Sequence, residues 1–245
     1  MTTNSPPIVG HLIELRQRLI RAVVATLIIF AGLAFFANDI YDQIAQPLVS
    51  VLPAGTSMIA TDVAAPFFAP FKLAFMLSIV LAFPYILHQV WGFIAPGLYK
   101  HEKKFAAPIL ISSVLLFYGG ISFAYFVVFP LVFAFFTSVG PEQITIATDI
   151  SSYLDFVLKL FIAFGLAFEV PVVVFILCWA GVTTIESLKQ KRPYIIVGAF
   201  IAGMLLTPPD VISQTLLAIP IWMLFELGLL MSVMVNKPKP QENES

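Results

Sequence analysis

Charge is what this chain has least of. Lys, Arg, Asp and Glu make up 11% of its 245 residues while 60% are hydrophobic, and a soluble domain carries roughly twice that share of charge. The apolar residues also come in runs too long for a globular core. Cysteine is nearly absent: Cys178 is the single one, and it lies inside an apolar run, so neither a disulfide framework nor a thiolate metal site follows from it. The histidines His11, His88 and His101 are scattered and form no ligand pair at helical spacing. There is no Gly-rich phosphate loop, no nucleophile elbow and no Ser/His/Asp constellation. The sequence therefore reads as a non-enzyme with no metal site and no cofactor. The net charge of −1 indicates no partner; the distribution of charge is the informative quantity.

Long apolar runs are what the chain does have. A spanning helix takes about 20 mostly apolar residues, and segments near 20–37, 70–91, 105–136, 155–180, 194–207 and 211–235 are expected to span. The first has a long apolar core and no small-x-small cleavage site after it, so it reads as a span rather than a cleavable signal peptide. The fifth is too short to cross a core of about 30 Å at about 1.5 Å per residue, and is expected to thin the bilayer or sink.

Basic residues partition with the loops. Arg16, Arg18 and Arg21 precede the first span; Lys100, Lys103 and Lys104 follow the second; Lys189, Lys191 and Arg192 follow the fourth; Lys237 and Lys239 follow the sixth. The opposite loops hold Asp39, Asp42, Asp62, Glu142, Asp149 and Asp210 but neither lysine nor arginine. Both termini are therefore expected in the cytoplasm. Pro84, Pro108, Pro130, Pro171 and Pro220 lie in or beside the later spans, and each removes a backbone hydrogen bond and bends its helix. The expected architecture is an all-α integral membrane protein: six transmembrane helices in one domain over 1–245, a curved concave bundle with proline-kinked helices and short fifth and sixth spans. Residues 1–21 are expected as a cytoplasmic amphipathic N-terminus and 236–245 as a cytoplasmic tail.

A faint echo runs through the chain. IATDV at 59–63 returns as IATDI at 146–150, and Lys72 and Pro84 return as Lys159 and Pro171. Two readings stand: a local need for a Thr-Asp helix cap, a snorkelling lysine and a kink, or duplication of a two-helix unit.

Few residues are candidates for recognition. In HLIELRQRLIR, His11, Glu14, Arg18 and Arg21 share one helical face and Leu12, Leu15 and Leu19 another; Arg16 points towards the leucines. Glu14 is expected either to pair with Arg18 four residues on or to face a cationic ligand. FIAPGLYKHEKK, residues 93–104, is a polar interruption with a Pro-Gly turn at Pro96-Gly97 and a carboxylate, Glu102, among lysines. Glu102 either complements the dipole of the third span or joins Glu14 in a two-carboxylate acceptor, to which arginine's planar fork is suited. Glu169 falls near the centre of the fourth span. A charge there costs at least about 2.5–3.5 kcal/mol, so it is protonated or faces a wet cavity or a partner. Met204, Thr207 and Gln214 flank the outer turn TPPD, where polar groups join helices within the chain or dock a partner's helix. Pro208, Pro209 and Asp210 read as helix breakers and an N-cap.

HLIELRQRL, FIAPGLYKHE, FEVP and LLTPPDxxSQ, in this order over about 10–235, resemble TatC, the multispanning core component of the twin-arginine protein translocase. The resemblance implies binding of twin-arginine signal peptides of folded precursors at the cytoplasmic face of the bacterial inner membrane. It assigns Glu14, Arg16, Phe93, Pro96 and Glu102 to signal binding and Glu169 to an intramembrane position on the concave side. It assigns Met204, Thr207 and Gln214 to contact with the single-span partners TatA and TatB, within a multimeric complex driven by the proton-motive force. The alternative is a proton-coupled secondary transporter using Glu169. An inverted repeat and paired Gly-rich broken helices, which that fold uses, are not visible.

Overall fold

The structure is a computed structural model that describes residues 7–51, 59–94, 103–132, 135, 149–206 and 211–235. Among these it is helical almost throughout. Five stretches are long and apolar enough to cross a membrane: Gly10–Ala34, Ala65–Phe93, Ala107–Val132, Ser151–Trp179 and Gln214–Met234. A sixth apolar helix, Arg192–Leu206, is shorter. The expected spans are therefore present, the first starting about ten residues earlier than expected and the others with boundaries shifted by a few residues.

α1 runs Pro7–Ala34 without a break. The amphipathic segment and the first span are thus one rod, because from His11 to Ala31 nothing interrupts the hydrogen-bond ladder: the stretch contains no proline and no glycine. After a turn closed by Phe36 N–H to the Leu33 carbonyl at 2.9 Å, α2 occupies Ala37–Val51, where the sequence pattern points only to a loop. Its apolar positions Ile40, Tyr41 and Ile44 pack on Ala69, Leu73, Leu154 and Leu158, which is amphipathic spacing on a helix too polar to span.

α3, Ala65–Ile94, carries Pro70 and Pro84 inside it. Its start is capped by Asp62, whose Oδ1 accepts from Ala64 N–H at 3.1 Å. α4, Lys103–Phe123, continues into a π-helical turn at Ala124–Val128, where Phe129 N–H reaches the Ala124 carbonyl. That widened turn lies just before Pro130, whose ring would otherwise meet the carbonyl four residues back.

The fourth span is two helices, α5 Ile150–Ala167 and α6 Val170–Trp179. Pro171 has no N–H to offer Ala167, so the ladder lapses at Phe168–Glu169 and Glu169 N–H bonds instead to the Leu166 carbonyl at 3.1 Å. α6 ends on Gly181, whose φ of 70° is the left-handed conformation that closes helix ends. α7, Ile185–Gln190, starts on Thr184, which caps Ser187 N–H at 3.1 Å. α8 spans Arg192–Leu206, 15 residues, or about 22 Å, so the expected short fifth helix is present. α9 is Val211–Val235, 25 residues, or about 37 Å. The sixth helix has the bounds expected for it, and Pro220 sits inside it without ending it.

The residues cluster into two compact units, 1–114 with 141–158, and 115–140 with 159–245. In the first, α1 and α2 pack on α3. In the second, α9 packs on α6, α7 and α8, around Val174, Cys178, Leu188, Phe225 and Leu229. Cys178 is a buried core residue with a free thiol.

Candidate functional site

Three contacts organise the face where α1 meets α3. His11 stacks on Phe93 with ring centroids 4.4 Å apart and planes at 28°. One turn on, Glu14 accepts from Arg18: Nε and Nη2 both reach Oε1, at 2.9 and 2.7 Å. The Arg18 guanidinium in turn lies against Gly92; a Cβ there would fall 2.1 Å from Nη1. The shared face of His11, Glu14 and Arg18 read from the sequence is thus the face turned to α3.

The pairing of Glu14 is lopsided. Arg18 takes one carboxylate oxygen twice, and among the described residues no hydrogen bond reaches Oε2. Glu14 keeps 36% of its side chain exposed and Arg18 22%, so the carboxylate is accessible from outside. The i,i+4 pair and the ligand-facing reading therefore coexist. Arg16 is exposed on another side of the helix. Phe93 is half-buried against α1. Pro96 and Glu102 lie outside the described residues.

Beside the pair is an apolar groove of about 160 Å³ between α1 and α3, walled by Leu15, Leu19, Ile86 and Val90. Gln89 lines it as well; it is 6% exposed, and among the described residues its Oε1 accepts no hydrogen bond. Sequence reasoning does not single out Gln89 or Gly92. A lone amide on an otherwise apolar helix is the available signal.

Glu169 occupies the break between α5 and α6, half-buried, so the carboxylate projects where Pro171 has already opened the backbone ladder. Met204 is 50% exposed, whereas its neighbour Gly203 faces α9. A Cβ on Gly203 would lie 3.2 Å from the Gln214 carbonyl. Gln214 thus belongs to the α8–α9 packing contact and Met204 points away from it. Thr207, Pro208 and Asp210 lie outside the described residues. Glu226, in the sixth span, accepts from Arg192 Nη2 at 2.6 Å.

On the opposite loops, Asp149 is held by four donors: Thr61 N–H and Oγ1 at 3.0 and 2.9 Å, and Ser152 N–H and Oγ at 2.9 and 3.0 Å. Hydrogen bonds from the Ser152 and Thr61 backbone lower its pKa from 3.8 to about 2. Lys72 pairs with Asp155. The aspartates of the echo, Asp62 and Asp149, each accept a backbone N–H at the start of the helix that follows.

Residues 10–220 match the family model described as Sec-independent protein translocase protein (TatC). The TatC of Azotobacter chroococcum is 62% identical over 91% of this chain and 88% of its own length. That of Escherichia coli is 58% identical over 94% and 89%. A crystal structure of the twin-arginine translocase receptor TatC superposes with a TM-score of 0.84 at 39% identity, covering 93% of this chain and all of that one. With these matches and its apolar helices, the chain is a membrane protein that belongs to the TatC family, the Sec-independent protein translocase components.

Proposed function

We propose that this chain is the receptor and core subunit of a twin-arginine translocase in the bacterial inner membrane, with both termini in the cytoplasm. It binds the paired arginines of a signal peptide on Glu14 and Glu102, in a site that also includes Arg16, Phe93 and Pro96. The bound precursor nucleates an export complex driven by the proton-motive force. TatB and TatA join through single helices at Met204, Thr207 and Gln214, and Glu169 meets the apolar part of the peptide in the membrane.

The observation that carries this reading is the half-occupied carboxylate. Arg18 holds Oε1 of Glu14 and so fixes the side chain's rotamer, while Oε2 has no donor among the described residues and can take a second guanidinium. A carboxylate has about four lone-pair sites, so accepting an incoming arginine does not require Arg18 to leave. The site is pre-oriented, which lowers the ordering cost of binding.

The test compares charge with fork geometry. Glu14→Gln and Glu102→Gln are each expected to weaken an Arg-Arg peptide about tenfold, since a hydrogen bond to a charged group contributes about 1.5–3 kcal/mol. A Lys-Lys peptide that already binds weakly is expected to lose little more. Equal losses for both peptides in binding assays on the full chain in nanodiscs would mean that guanidinium geometry is not what the site reads.

A further inference from the structure

We propose that the pocket where α3 and α5 begin is a site for one phospholipid headgroup of the ethanolamine type, a zwitterion with a primary ammonium. It lies in the first unit, at the end of α3 opposite Phe93, and is the same whichever way the chain faces.

The pocket holds about 130 Å³, room for about four waters at ~30 Å³ each and so for an ethylammonium group. Both helices open long apolar stretches, Ala65–Phe93 and Ser151–Trp179, so their first turns stand where acyl chains give way to headgroups. Two carboxylates, a lysine and a hydroxyl meet there: Asp62, Asp155, Lys72 and Ser151. Their order along the helix axes selects the ligand. Asp62 precedes α3, which starts at Ala65. Lys72 lies seven residues further in, about 10 Å along the axis, and its stem runs back toward the helix start. The unpaired negative group is therefore outermost and the positive one deeper. A headgroup of the ethanolamine type has the complementary order, with the ammonium outside the phosphate and the phosphate outside the chains.

Donors and acceptors agree with that order. Lys72 gives one N–H to Asp155, and an ammonium has three, so a phosphate oxygen can take another without breaking the pair. Asp62 Oδ1 accepts from Ala64 N–H at 3.1 Å, and among the described residues Asp62 has no cationic partner. An incoming ammonium supplies one. Choline cannot donate, since its nitrogen carries no hydrogen, and a glycerol headgroup brings no cation to Asp62. Phe68, at the rim, is 61% exposed. It offers a ligand with acyl chains an apolar surface that a soluble amine leaves uncovered.

Native mass spectrometry of the full chain in detergent, with lipids of identical acyl chains added one at a time, reads the preference. Phosphatidylethanolamine is expected to be retained about fivefold more tightly than phosphatidylcholine or phosphatidylglycerol, with mono- and dimethylated headgroups in between. Asp62→Asn keeps the oxygen that caps α3 and removes the charge; it should bring the ratio over phosphatidylcholine below twofold. Asp39→Asn, at an exposed acid on α2, should leave the ratio unchanged. Glycerophosphoethanolamine, the same headgroup without chains, should not displace the lipid at equal concentration. Displacement would make the ligand a soluble phosphate ester and overturn the lipid assignment. Equal retention across the methylation series, which needs no variant, overturns the site. So does a preference that survives Asp62→Asn or falls equally with Asp39→Asn.

Discussion

Gly92 is where a single atom decides an ion pair. Alanine is the better helix former by about 1 kcal/mol, yet its Cβ would sit 2.1 Å from Arg18 Nη1. The flexible guanidinium is the part that yields, so Gly92→Ala is expected to leave thermal stability within about 1 kcal/mol of the parent while pulling Arg18 off Glu14. A partly exposed pair contributes about 0.2–1 kcal/mol, so losing the hold of Arg18 on Glu14 should lower affinity for an Arg-Arg peptide about 1.5- to 5-fold. Arg18→Gln should do the same; a gain of affinity in both would show that Arg18 competes for Glu14 rather than orienting it. Asp149 gives a second prediction at this scale. Its folded pKa is depressed, to about 2 from 3.8, so the contact it makes with Thr61 and Ser152 is at full strength above about pH 4. It is lost as pH falls towards 2, because the opened form binds the proton more readily. Hydrogen exchange at the Thr61 amide should therefore accelerate, beyond its intrinsic pH dependence, between those values, and Asp149→Ala should show the fast rate throughout.

Helices are held together by close approaches that the sequence marks with glycine but does not rank. Gly119 and Gly120 are adjacent, yet a Cβ on Gly119 meets nothing nearer than Phe168 at 4.0 Å, whereas on Gly120 it falls 2.4 Å from the Phe164 carbonyl oxygen. A backbone oxygen cannot swing aside as a side-chain tip does. Gly120→Ala is expected to cost about 1–3 kcal/mol by forcing α4 and α5 apart, and Gly119→Ala to be near neutral; melting temperatures in detergent check both. Legibility follows the same division. Apolar runs, the kink at Pro171 and the short α8 are readable because each follows from local chemistry. α2 is not: its apolar stripe is narrow and interrupted by Asn38, Asp42 and Gln43, and it becomes a helix by packing on α3 and α5. The π turn before Pro130 is legible only as a kink, since hydrogen-bond register depends on what the neighbouring helix leaves room for. In the site, the shared face of His11, Glu14 and Arg18 is legible from helical spacing. What it faces, Phe93 and Gly92 on a helix far along the chain, is not, and Gln89 carries no local signal beyond being polar.

Charge distribution acts on the molecule as a whole, and it sets orientation before any packing does. Among the opposite-side segments the acids Asp39, Asp62 and Asp149 have no lysine or arginine beside them in sequence. Lys72, the basic side chain near them among the described residues of the first unit, is paired with Asp155, so it adds little net positive charge there. The other side gathers Arg16, Arg18, Arg21, Lys189, Lys191 and Arg192. Lysine and arginine near span ends stay on the cytoplasmic side, so the proposed orientation puts Lys189 inside and Asp39 outside. Both are exposed, and the native Cys178 is buried in the α6–α9 core, so it adds little background to labelling. A membrane-impermeant maleimide added to intact spheroplasts should label Asp39→Cys and spare Lys189→Cys until the membrane is opened. The reverse pattern would put Glu14 on the side away from newly made precursors, and a receptor facing that way has no signal peptide to bind. Mixed labelling of both positions would mean that the arginines ahead of the first span do not fix the orientation of the chain, and a charge-reversed variant of Arg16, Arg18 and Arg21 should then label no differently.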